Sequence, residues 1–422
     1  MKKLLILILI VATAITCFAL IPATADEALF DETGMKTVYL SDNGDDLNSG
    51  TSNTSPVKTF AKATSLLGDK GGIIMIPDKF TYFDKQNDTC PYRMPGTKGA
   101  TYIIRGEKAD GSSVFGGERY MIVATANLKF DNLTYTTGEK TYAIVAEFFA
   151  IEFTDKVKTV PYELPDGTKK IPSIFAGANG IAGNASSTGR LTLNGGTFNE
   201  VYGGCEKHKM GGPVFLTLGG NVHVVGDVFC GGKNTGCEVS GDVTLKMTGG
   251  TVDGKIYVGG NAENQLNNIV TSLKVSITVS GGKIGGIVGN LKNSTDPEAI
   301  YIEELEIDLT AYQPSSAAGW KDANISEMPT YAKVWLYGED KTATTEPDTT
   351  TAEETTTPEV TTPEETTTEA GTTAPSNSNE ETTDAGKTEE KGCGSTVGLG
   401  GVAIVLAVSG IACVASKKRK NG

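Results

Sequence analysis

Histidine is nearly missing from this 422-residue chain, which has two, and its 37 lysines and arginines are outnumbered by 51 aspartates and glutamates. Without a run of basic residues inside the folded part, a net charge of −14 leaves no footprint for nucleic acid, whose phosphates require clustered cations. His208 and His223 are not spaced as metal ligands, and His223 alternates in Val222-His-Val224 as an ordinary outward strand residue. No helical periodicity interrupts the middle of the chain. Aromatic residues are missing from Lys341 to Lys391, which holds 19 threonines, 13 acidic residues and four prolines, with Val360 its one large aliphatic. Such a segment buries too little apolar area to offset its chain entropy, so a disordered stalk is expected over 341–395.

What is present is a repeat. Leu191-Thr-Leu-Asn-Gly-Gly196, Leu216-Thr-Leu-Gly-Gly220, Leu245-Lys-Met-Thr-Gly-Gly250 and Ile277-Thr-Val-Ser-Gly-Gly282 each join an alternating strand to a glycine pair. A second series keeps step: Ile174-Phe-Ala-Gly177, Val201-Tyr-Gly-Gly204, Val228-Phe-Cys-Gly231, Ile256-Tyr-Val-Gly259 and Ile287-Val-Gly-Asn290, ending 27, 27, 28 and 31 residues apart. A fixed period of this size marks units that bury their apolar faces only against neighbours. Two short strands and two glycine corners per period predict one coil of a parallel β-helix, an all-β solenoid spanning 26–340. A solenoid core grows lengthwise, so this one domain exceeds the usual single-core size.

The opening of that domain carries a resemblance. Val38-Tyr-Leu-Ser-Asp-Asn-Gly-Asp-Asp-Leu-Asn-Ser-Gly-Thr51, then Ser55-Pro-Val-Lys-Thr-Phe60 and Gly71-Gly-Ile-Ile-Met-Ile-Pro77, resembles the start of the pectate-lyase-like right-handed parallel β-helix superfamily. The residues predict a short capping helix, with Ser55 as N-cap, Pro56 first, and Phe60, Ala63, Leu66 and Leu67 on one face. That helix would plug the open apolar end of the coil, and a strand at Ile73–Ile76 would begin it.

The termini predict where the coil is displayed. Residues 1–25 read as an export signal: Lys2 and Lys3, an apolar run, and a small-residue cleavage site ending at Ala25. Thr396 to Ser416 is a 21-residue uncharged stretch, long enough as a helix to span about 30 Å of hydrocarbon, and Lys417-Lys-Arg-Lys420 follows on the expected cytoplasmic side. The expected domains are therefore signal 1–25, ectodomain 26–340, stalk 341–395, transmembrane helix 396–416 and basic tail 417–422. This layout resembles cell-surface proteins of Gram-positive bacteria, although a Leu-Pro-x-Thr-Gly sorting motif is missing and Gly392-Cys-Gly-Ser395 stands in its place. Cys393 is a candidate for lipid attachment or processing, or a plain juxtamembrane cysteine.

Candidate site residues follow from alternation. Leu191, Leu193 and their equivalents must face the core, which turns Thr192, Thr217, Lys246 and Thr278 outward. In the second series Glu200, Asp227 and Lys255 share a face with Tyr202, Phe229 and Tyr257, so Phe175, Tyr202, Phe229 and Tyr257 are expected as an outward ladder and Cys230 as a core residue. The ladder suits a glycan or protein partner, or lies buried under the connections Glu206–Pro213 and Asn261–Val270. Asp42, Asp45 and Asp46 offer oxygen ligands for calcium but lack EF-hand order. The resemblance implies acidic calcium ligands with an Arg or Lys base in lyases, or clustered aspartates in hydrolases. Neither set is found: the readable column has no carboxylate, Asp227, Asp242 and Asp253 are scattered at corners, and nothing in sequence lowers the pKa of Lys246 or Lys274. Cys90, Cys205, Cys230 and Cys237 allow three pairings, none fixed by sequence. A membrane-anchored, non-catalytic adhesion or glycan-contact module is the expected function, with catalytic residues assigned to none; a surface polysaccharide lyase or hydrolase with its site in 102–170, and a structural spacer, are the alternatives.

Overall fold

A computed structural model describes residues 29–81, 92–117, 121–138, 143–179, 183–184, 186–234, 236–261, 271–292, 300–312, 324–328 and 333–337. The expected signal segment with Ala25, the stalk, the apolar span, Cys90 and Cys393 lie outside them. Among the described residues no helix is long and apolar enough to cross a membrane.

Among the described residues the fold is all-β with one helix, built from stacked parallel sheets in a β-helix-like solenoid. The first sheet runs from Thr37–Tyr39 through Gly71–Ile76, Thr101–Gly106, Asn127–Asp131, Ala150–Phe153, Gly189–Leu193, Val214–Leu218, Val243–Val252, Thr271–Ile284 and Tyr301–Asp308 to Lys333–Tyr337. The second holds nine parallel strands, among them Tyr92–Arg93, Met121–Val123, Ala143–Val145, Ser173–Phe175, Val201–Tyr202, Val228–Phe229 and Ile256–Tyr257. A third, of Lys79–Thr81, Val114–Gly117, Thr134–Thr137 and Lys158–Val160, gives early coils three strands rather than the two expected. Later coils keep a short strand at that place, Thr197–Phe198 and His223–Val224, because Phe198 and Val224 turn inward to fill the core.

Register is set by the inward aliphatics. Leu191, Leu216, Leu245 and Ile277 pair in one column, Leu193, Leu218, Met247 and Val279 in the next, and all are buried. Each such side chain contributes roughly 1.5–3 kcal/mol on burial, and a one-residue slip would expose the whole set. Nearer the start the filling is aromatic, with Phe130 and Phe153 stacked at 4.6 Å and Phe153 meeting Phe198 edge-on at 5.2 Å. Glycine turns the corners as expected: Gly196, Gly220, Gly250 and Gly282 have φ of 84°, 52°, 79° and 88°.

The capping helix, α1, spans Phe60–Leu67 and starts later than the sequence indicates. Val57 is held extended, donating its N–H to Tyr39 O at 2.9 Å and bridging Leu40, so Thr59 becomes the N-cap in place of Ser55. Thr59 Oγ1 accepts from Lys62 N, and the buried face is Phe60, Ala63, Thr64 and Leu67, with Leu66 turned out.

Residues 29–36 lie across the outer face of the first sheet as a strap. Phe30 is buried beneath Lys129, and Glu32 accepts two hydrogen bonds from Arg105 at 2.6 and 2.9 Å. That guanidinium holds the Glu32 carboxyl below its ordinary value. A lowered folded pKa stabilises above the unfolded value and loses that stabilisation as pH falls through the folded value. The thermal midpoint of Glu32→Gln is therefore expected to trail the parent at neutral pH and to converge with it on acidification. A gap that stays constant with pH would contradict this.

Candidate functional site

The aromatic ladder exists and is covered. Phe175, Tyr202, Phe229 and Tyr257 are register partners on the side of the second sheet away from the main core, where they cluster with Val123, Ala143 and Val145. Their rings stack at 4.6, 4.6 and 5.2 Å, close to the spacing of parallel strands. Relative exposure is 1 % for Phe175 and 0 % for Tyr202 and Phe229, so no face of these three is open to a sugar; Tyr257 is half-buried. The covering is polar above and apolar within. Buried Asn261 donates to Tyr202 Oη at 3.3 Å, Tyr202 Oη donates to Glu200 at 2.8 Å, and Lys292 Nζ lies 5.8 Å from the Phe229 centroid. Lys292 also binds Asp227 at 2.6 Å; burial opposes its charge, yet Asp227 holds the ammonium above its ordinary value. The acids that predicted an outward face are thus neutralised neighbours of a closed cluster.

Other expected groups are separately committed. Asp42 accepts from Thr81 N and Oγ1, Asp45 from Leu47 N, and Asp46 from Lys58 N, Thr59 N and Thr59 Oγ1. Among the described residues no three His, Cys, Asp or Glu side chains are grouped to hold a metal. Asp253 meets His223 at 2.7 Å, Asp242 accepts from Lys274 N, and Lys274 Nζ pairs with Glu306 at 2.5 Å. Cys205, Cys230 and Cys237 are free and buried, and burial raises their thiols to about 12, 12 and 11. Thiols so shifted are poor nucleophiles at neutral pH.

A cleft that the sequence did not reveal lies where the second sheet turns into the first. It has a volume of about 750 Å³, opens to solvent, and is lined by Arg93, Gly96, Lys98, Thr125, Glu147, Phe148, Phe149, Asn184 and Ser186–Thr188. Its floor is a corner of unusual backbone. Glu147 donates its N–H to Gly177 O, Gly177 to Gly204 O, Gly204 to Gly231 O and Gly231 to Gly259 O, so Glu147 heads a column of glycines. None of those glycines has a positive φ, whereas Glu147 and Phe148 have φ of 50° and 69°. Two consecutive side-chain-bearing residues in the left-handed region cost roughly 1–3 kcal/mol each, and such strain concentrates at functional sites. The signal was available: Glu147 stands at the head of a column that is glycine in the following coils, but the glycine-poor early coils hid the register.

Polarity within the cleft is sorted by depth. The Glu147 side chain is 5 % exposed, and its partner Arg93 is 49 % exposed. Both carboxylate oxygens are engaged by the guanidinium, the Nη2–Oε1 contact at 3.1 Å. Thr125 donates its hydroxyl to Met94 O, leaving its lone pairs as acceptors. A side chain at Gly183 would strike the Phe148 ring at 2.8 Å, so glycine there admits that ring. The chain matches no protein-family model, no curated protein and no solved structure.

Proposed function

We propose that this chain is a cell-surface protein, exported by residues 1–25 and anchored by a transmembrane helix at 396–416. Its 341–395 stalk carries a right-handed β-helix of the pectate-lyase-like class outward for non-catalytic contact with glycan or a neighbouring surface. The observation that carries the non-catalytic reading is the Arg93–Glu147 pair. Glycoside hydrolysis uses two carboxylates roughly 5–9.5 Å apart, one of them protonated. Among the described lining residues of the cleft Glu147 is the one carboxylate, and the guanidinium occupies both its oxygens. Incubating the purified protein with acidic and neutral polysaccharides, with and without calcium, is expected to release no shortened or unsaturated oligosaccharide. Turnover would overturn the reading.

Anchoring rests on the terminal segments and is tested separately. Protease added to intact cells is expected to cut within 341–395 and release a soluble fragment of about residues 26–340. Recovery of the whole chain in the cytosol would exclude surface display.

A further inference from the structure

We propose that the cleft at the Glu147 corner binds an uncharged, hydroxyl-rich sugar unit, packed against Phe148 and hydrogen-bonded by Arg93, which Glu147 holds in place. This deepens the glycan-contact reading and rests on it. The charge of the floor decides the ligand class. Arg93 and Glu147 cancel, so a ligand charge of either sign is attracted by one partner and repelled by the other. Lys98 is exposed on the rim, where salt screens it, and the chain as a whole carries a net charge of −14. A carboxylate ligand would therefore meet a neutral floor within an acidic protein.

The paired charges remain strong hydrogen-bonding groups. The half-exposed guanidinium, held by the buried Glu147, keeps further N–H groups to donate to a sugar hydroxyl. The wall extends this with the Thr125 lone pairs, the Asn184 amide and the hydroxyls of Ser186, Ser187 and Thr188. Phe148 and Phe149 are half-buried and line the same space, supplying the apolar surface against which a pyranose ring packs. The volume lies within the ~300–1,000 Å³ typical of small-ligand sites. Backbone strain at Glu147 and Phe148 is what puts the carboxylate and the ring at one corner, where following coils place glycine.

The test uses the full-length protein in a detergent without a sugar headgroup, titrated with maltotetraose, mannotetraose, N-acetylchitotetraose and tetragalacturonate. At least one neutral tetrasaccharide is expected to bind, with affinity changed less than about twofold by raised salt. Phe148→Gly removes the ring and relieves the left-handed strain, so it should stay folded and weaken that binding about tenfold. Arg93→Lys keeps the charge but loses the planar fork and should weaken binding comparably. Preference for tetragalacturonate, silence across the panel, or neutral binding indifferent to Phe148→Gly would each overturn the proposal. Adhesion of intact cells to polysaccharide-coated surfaces separates the two levels. Adhesion that depends on the protein but survives Phe148→Gly leaves the surface-contact reading standing, and adhesion equal in cells lacking the protein removes it.

Discussion

Replacing Phe229 with serine is expected to cost about 3–5 kcal/mol, and replacing Phe175, Tyr202 and Phe229 together to abolish cooperative folding. Each of the three rings is fully enclosed; Phe175 stacks on Tyr202, and Phe229 lies between Tyr202 at 4.6 Å and Tyr257 at 5.2 Å. Serine there removes the stacking contacts, opens a cavity and leaves a hydroxyl without an assured partner. The Tyr202 change adds a polar loss, since its hydroxyl bridges Asn261 and Glu200, and Asn261 is itself buried. Losses of that size, summed over three neighbours, reach about 9–15 kcal/mol, as much as the roughly 5–15 kcal/mol that holds a typical domain together. Denaturant titration followed by circular dichroism reads the result. A triple variant that melts within a few degrees of the parent would mean that the rings face solvent after all, and would return them to consideration as a binding strip.

The ladder shows where sequence reasoning succeeds and where it stops. Alternation within Val201-Tyr202 and Val228-Phe229 correctly separates Val201 and Val228, which enter the main core, from Tyr202 and Phe229, which do not. Period and glycine spacing also fixed which rungs stack, and the observed pairing of Leu191 with Leu216 and Leu245 follows directly. Facing away from one core is not the same as facing water, however. Whether a second layer closes over a sheet depends on contacts such as Asn261 with Tyr202, 59 residues apart in the chain, which no local pattern encodes. The third strand of the later coils was missed because Thr197-Phe198 is two residues long, too short for alternation to register. The helix start was missed because Ser55-Pro56 is a sound N-terminal signal overridden by the tertiary bridge of Val57 to Leu40. The cleft escaped for a related reason: Arg93, Glu147 and Ser186–Thr188 come from three coils, and coils of unequal length gave no common register in that part of the sequence.

Gly250→Val is the sharpest test of the coiled architecture itself, and a loss of at least about 3 kcal/mol is expected. At φ 79° the residue occupies the left-handed region, where a β-branched side chain is strained by roughly 1–2 kcal/mol before any contact is counted. The first added carbon would then lie 2.5 Å from Val222 Cγ1 and 2.6 Å from Val222 O. Val222 is buried and donates its N–H to Gly219 O at 3.2 Å, so it cannot retreat without opening the corner of the preceding coil. Relaxing that clash displaces a rung, and because each rung is the template for the next, the strain passes to Gly282, whose own close approach is to Gly250 O. Thr248→Val supplies the control: Thr248 is exposed, and the hydrogen bond of its hydroxyl to Leu218 O is long at 3.5 Å, so its effect should stay within about 0.5 kcal/mol. The comparison of thermal midpoints between the two variants isolates the corner from the strand. Equal and small effects would show that the glycine pairs are not required turns, and the β-helical coil would lose its main physical argument.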